Sequence, residues 1–247
     1  MEVFRSELYK TLHKRGYYGC FGLTIVWSLL MIIVFHTTAK GRGIAYDASV
    51  WAPMSADLLA TYLVWLMVAF AYVIVSSDYV EKTVSNLIIA GADRKKIYIS
   101  KLIIFTVSCI IAVLISCALI TVVSGIAFGW GNWDSAYTKE FFGIVLRLVI
   151  FVLQFVAYFS ILCSIFNNQA ATLITSFLTL TALSVIVQII KIIFKTVKGI
   201  EEYSPCASGN IIKSYGDKYI NGWMAVCLGC FLVFSILGVF ISSKREL

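Results

Sequence analysis

Six stretches of this chain are long and apolar enough to cross a bilayer, and nothing between them is large enough for a soluble domain. A helix needs about 20 apolar residues to span the hydrocarbon core. The runs at about 17–35, 58–76, 102–128, 141–166, 170–190 and 223–241 meet that condition. Lipid offers backbone N–H and C=O groups no partner, so each run must satisfy them internally as a helix. A transmembrane barrel would show alternating segments of about ten residues, whereas these runs are continuous. The expected fold is therefore an all-α polytopic membrane protein with one transmembrane domain over residues 1–247. The first span follows a 16-residue polar start and is too long for a cleaved signal.

The net charge of +7 is explained by topology rather than nucleic acid. Six spans place both termini on one side. With that side cytoplasmic, eleven Lys and Arg lie inside and eight outside, and Arg147 falls within a span. Four of the five arginines outside the spans are on the inner side. Positive residues favour the cytoplasmic side, which gives the expected orientation.

The seven cysteines form no disulfide framework. Six fall inside spans, where cysteine acts as a small apolar filler. The seventh, Cys206, stands alone in an outer loop.

In the opening segment 1–16, Phe4, Leu8 and Leu12 recur every four residues among Arg5, Glu7, Lys10, Lys14 and Arg15. This predicts an interfacial amphipathic helix with its lysines toward anionic headgroups. The outer loop from His36 to Asp57 reads as a turn in which Trp51 anchors the membrane surface. Residues 77–101 are dense in charge. Gly91 divides them into two short helical pieces, predicting a compact elbow beneath the membrane. The connection 167–169 is short enough to make spans four and five a tight hairpin. Residues 191–222 contain apolar pieces too short to cross, which predicts re-entrant half-helices around Pro205 and Gly209.

Catalytic chemistry is sparse. His13 and His36 lie on opposite sides in this topology, so the zinc-protease pattern of two histidines one turn apart is missing. No Asp or Glu falls deep within a span, and no Gly-rich loop leads into a Lys-Ser/Thr pair for binding ATP. The chain is expected to be neither an enzyme nor a holder of a metal or cofactor. Arg147 is the one formal charge within a span. It can line a pathway together with Gln154, or its side chain can snorkel to the outer headgroups. The snorkelling reading is favoured by its distance from the span's centre.

The 77–101 segment also carries a resemblance. Asp78, Tyr79, Thr83, Val84, Asn86 and Leu87, then Gly91 through Ile97, and Ser100, Lys101 and Leu102 resemble the first cytoplasmic loop of ABC-2-type transporter permeases. The six spans, basic amphipathic start and re-entrant outer segment are similar in layout. Two positions depart from the family's usual pattern: Asp78 where glutamate is common, and Lys82 where glycine is common.

The resemblance implies the membrane subunit of a small six-span bacterial ABC exporter, of the peptide-antibiotic immunity type, in the cell membrane with both termini cytoplasmic. Its partners would be a second permease subunit, identical or related, and a separate ABC ATPase carrying ATP-Mg. The coupling loop would comprise Asp78, Tyr79, Glu81, Thr83, Asn86, Gly91, Arg94, Lys95, Lys96 and Lys101. Asp78, Glu81, Arg94, Lys95 and Lys96 would form polar contacts with the ATPase. The aromatic and aliphatic spans suit a hydrophobic or amphipathic substrate such as a peptide. The competing classes are an ATP-independent secondary transporter and a membrane scaffold; the first should show matched repeats with intramembrane charges or broken helices.

Overall fold

The apolar runs fold as helices whose ends are set by capping side chains and glycines. A computed structural model of the chain describes residues 2–41, 43, 45–49, 51–80, 88–89, 91, 93–166, 171–172, 174–176, 178–179, 182, 208–212 and 220–244. Its elements are α1 (Glu2–His13), α2 (Arg15–Gly41), α3 (Trp51–Ala71), a π-helical turn (Tyr72–Ser76), α4 (Ser77–Val80), α5 (Arg94–Phe128), α6 (Ser135–Ile165), a 3-10 turn (Ser208–Ile211) and α7 (Ile220–Lys244). No strand occurs among the described residues. Five helices there are long and apolar enough to cross a membrane: Arg15–Gly41, Ala56–Ser76, Arg94–Phe128, Ser135–Ile165 and Ile220–Lys244. Most of the fifth apolar run (170–190), the connection 167–169 and most of the outer segment 191–222 lie outside the described residues.

Several boundaries differ from those read in the sequence. Asp93 caps α5 by accepting a hydrogen bond from the Lys95 amide at 3.0 Å, which satisfies one of the free donors of the first turn. The helix then runs unbroken through 35 residues, about 52 Å at 1.5 Å per residue. The segment after Gly91 is thus the foot of α5 and not a separate short helix. Gly91 itself takes φ +90°, a left-handed conformation that glycine adopts without a Cβ penalty. Asp134 caps α6 in the same way, accepting from the Tyr137 amide at 2.7 Å.

The centre of the bundle is α6, which packs against α3, α5 and α7. Beside it, α2 lies along α5. Its buried positions Cys20, Thr24, Ser28 and Ile32 recur every four residues, as do Ser108, Ala112, Ser116 and Ile120 of α5. Small residues on both faces let the backbones approach closely, as membrane helices without a hydrophobic drive between them require. The Thr24 and Ser28 hydroxyls donate back to the carbonyls of Cys20 and Thr24 at 2.9 and 2.7 Å. On α2, both hydroxyls of that stripe are thereby satisfied within the helix.

At the end of the bundle away from α1, the 45–49 loop is fastened to the start of the connection after α5. Ala48 donates its amide to the Gly129 carbonyl at 3.0 Å, and Tyr46 and Ser124 share a hydrogen bond of 2.9 Å. Trp51 does not lie at the membrane surface as expected from its place in the loop. It is fully buried at the start of α3, stacked on Phe35 and donating its indole N–H to Thr121 at 3.1 Å. The turn after α5 does place Trp130 in an exposed position and Trp133 half-buried beside it.

A buried charge cluster as the candidate functional site

Five charged side chains, Glu7, Lys10, Lys14, Asp78 and Lys101, converge from three separate parts of the chain where α1 meets the foot of α5. α1 lies across the foot of α5, and its buried side presents Glu7 and Thr11, with Lys14 following at the α1–α2 junction. The π-helical turn ends the second apolar run, and α4 then carries Asp78. Lys101, two turns into α5, is 1% exposed.

The geometry is that of a closed ion network. Lys101 forms an ion pair with Asp78 Oδ2, and its ammonium lies 2.8 Å from Glu7 Oε2. Lys14 reaches the other carboxylate oxygen of Asp78 at 2.5 Å. Lys10 lies 3.0 Å from Glu7 Oε1. Both carboxylates are therefore bridged on both oxygens, and Lys101 connects one to the other. Burial raises the Asp78 pKa, but the charges and hydrogen bonds of Lys101 and Lys14 outweigh it and hold the carboxyl below its ordinary value. This is the condition under which buried charges persist, since each must be paired and hydrogen-bonded.

The π-helical turn takes part as well. Ser77 donates its hydroxyl to the Val73 carbonyl at 2.8 Å, and Lys14 donates to the Ser77 hydroxyl at 2.7 Å. A π turn inserted into an α-helix is commonly found at functional positions. Here it delivers Ser77 and Asp78 to Lys14.

This arrangement corrects two expectations. Lys10 and Lys14 point to the carboxylates and not toward headgroups. The outward face of α1 holds Phe4, Tyr9 and Leu12. Asp78 is 3% exposed, so it is unavailable for contact with a soluble partner. Of the loop's cations, Lys95 and Lys96 are exposed and Arg94 is half-buried. Glu81, Thr83 and Asn86, the side chain of Tyr79 and the atypical Lys82 lie outside the described residues. In the sequence, Glu7 and Lys14 are two of the charges interleaved with Phe4, Leu8 and Leu12. A carboxylate four residues before Thr11 and seven before Lys14 shares their helical side, but only the fold supplies its partner 94 positions away.

Arg147 does not snorkel to the surface. It is 1% exposed within α6, and its Nε donates to the Gly143 carbonyl at 3.1 Å. Gln154, two turns further on, is 3% exposed. Neither belongs to the charge cluster. Among the described residues no group of three or more His, Cys, Asp or Glu is placed to hold a metal ion.

Residues 20–247 match the family described as Protein of unknown function (DUF2705). That span contains Asp78 and Lys101 but begins after Glu7 and Lys14. No curated protein matches the chain.

Proposed function

The chain belongs to the DUF2705 family, and we propose that it is the membrane-spanning permease subunit of an ABC transporter. In this reading the run at 170–190 is the sixth span, both termini are cytoplasmic, and the protein resides in a bacterial cell membrane. Two permease subunits assemble with separate ATPase subunits that carry ATP-Mg. The substrate is hydrophobic or amphipathic, such as a peptide, in keeping with spans that are apolar nearly throughout.

The observation that carries the reading is the cluster of Glu7, Lys14, Asp78 and Lys101. It ties the loop that resembles a coupling element to α1, the end of the second span and the foot of α5. A push on that loop moves these parts as one unit, because a buried ion network resists being pulled apart. The exposed Lys95 and Lys96, with Arg94 beside them, supply the polar surface that an ATPase would contact.

The experiment is capture of the tagged chain from its native host in mild detergent, with mass spectrometry of what accompanies it. A P-loop ATPase recovered with the native chain and lost with Arg94→Glu supports the reading. Absence of any ATPase at low salt overturns it.

A self-sufficient secondary transporter is the second reading, favoured by the burial of Arg147 and Gln154 in α6. Intramembrane ionisable residues commonly mark a transport pathway. Purified protein in vesicles would then show substrate flux without nucleotide, and Arg147→Gln would reduce that flux without reducing membrane insertion.

A further inference from the structure

We infer that the outward side of α1, with the start of α2, is a binding surface for the phosphate headgroups of anionic phospholipids. The inference is independent of the permease reading and concerns a face that the charge cluster leaves open.

α1 divides its residues sharply between two sides. On a helix of 3.6 residues per turn, Glu2, Phe4, Arg5, Leu8, Tyr9, Leu12 and His13 fall within one half of the circumference. Ser6, Glu7, Lys10, Thr11 and Lys14 fall within the other. The second half faces the protein, where Glu7 and Thr11 are buried. Its carboxylate, Glu7, is taken up by Lys101 and Lys10. The first half is exposed at Phe4, Arg5, Tyr9, Leu12 and His13.

The outward side therefore combines apolar bulk with positive charge. Arg5 and Arg15 are both exposed, and neither enters an ion pair among the described residues. The rings of Tyr9 and His13 lie 3.9 Å apart at 31°, and His13 Nδ1 donates to the Tyr9 carbonyl at 2.8 Å. Tyr18 continues the aromatic surface onto α2 at 60% exposure. From there it merges with Leu23, Ile25 and Val26, the exposed apolar side of the first span.

That continuity selects the occupant. The apolar side chains of α1 border a surface that must lie in hydrocarbon, so they sit at the boundary between acyl chains and headgroups. Aromatic residues favour that depth. A guanidinium presents paired N–H donors that match phosphate oxygens. A zwitterionic headgroup carries no net charge to complement Arg5 and Arg15, whereas an anionic one does.

The test measures binding of phosphatidylglycerol and phosphatidylcholine to the full chain in non-ionic detergent by microscale thermophoresis. The native chain is expected to prefer phosphatidylglycerol. Each surface cation near anionic lipid contributes about a five-fold effect, so Arg5→Gln with Arg15→Gln should weaken that lipid about thirty-fold and leave phosphatidylcholine unchanged. The preference of the native chain should also fall as salt rises, since exposed charges are screened. Equal affinity for the two lipids, or a preference indifferent to salt, would overturn the inference without reference to any variant. A double variant that keeps its lipid preference but no longer captures an ATPase would assign this face to a protein partner and overturn it equally.

Discussion

Lys101 of α5 and Asp78 of α4 form an ion pair whose side chains are 1% and 4% exposed. The pair joins the entry of one membrane helix to the exit of another, 23 positions earlier in the chain. Lys101→Ala leaves Asp78 and Glu7 buried with their shared cation gone. Removing one partner from a buried pair typically costs about 3–5 kcal/mol. Lys101→Met combined with Asp78→Leu removes both charges at similar volume and should cost less than Lys101→Ala alone. Thermal unfolding of the native chain, Lys101→Ala, Lys101→Met, Asp78→Leu and the double variant in one detergent checks this, and a double-variant loss equal to the sum of the Lys101→Met and Asp78→Leu losses would mean that the two residues are not coupled.

The same pair sets an acid limit. The Asp78 carboxyl is held below its ordinary value of 3.8. A depressed carboxylate stabilises the fold above its unfolded pKa, and that contribution is lost as pH falls through the folded pKa. Its share of stability should therefore be constant from pH 7 to about pH 5 and decline below about pH 4. Asp78→Asn should flatten that part of the profile while lowering stability at neutral pH. An unchanged acid limb in Asp78→Asn would assign the loss to other carboxylates.

Much of the fold is legible in the sequence because hydropathy reports on a length that the bilayer fixes. Five of the six apolar runs lie in described helices at nearly the expected places. Hydropathy is blind to where a helix continues into water. Arg94 through Lys101 are too polar to resemble a span, yet Asp93 caps them into α5. Burial of charge is harder still to foresee. Glu7, Asp78 and Lys101 each look solvated until the fold brings them within contact of one another. Trp51 differs for a similar reason: its place in a loop suggests an interface, but α3 begins with it, and Phe35 and Phe141 pack against it.

In the turn after α5, Gly131 is constrained twice over. Its φ is +68°, and a Cβ there would approach Asp47 Oδ1 and Ser49 Oγ to 2.5 Å. Those two atoms are already committed, because Asp47 Oδ1 accepts from both the amide and the hydroxyl of Ser49. Gly131→Ala should cost about 1–3 kcal/mol and loosen the 45–49 loop. Faster hydrogen exchange at Ala48, whose amide is held by Gly129, would be the local signature. Unchanged exchange there would show that the loop does not depend on this close approach.

Gly238 of α7 lies directly against the Tyr98 ring of α5, and a Cβ at that glycine would overlap the tyrosine hydroxyl and the ring carbon that bears it. Tyr98 is fully buried, so the ring has little room to swing aside. Gly238→Ala should then separate the last span from the foot of α5, at about 1–3 kcal/mol for overpacking. Tyr98→Phe alone removes the hydroxyl oxygen and is the reference for the double variant. Combined with Gly238→Ala, it should recover part of the loss, because the hydroxyl is the nearer of the two overlaps. The ring carbon remains, so recovery should stay incomplete. Unfolding midpoints of the two single variants and the double variant in one detergent decide the matter. A double variant no more stable than Gly238→Ala would mean that the strain lies elsewhere along α7.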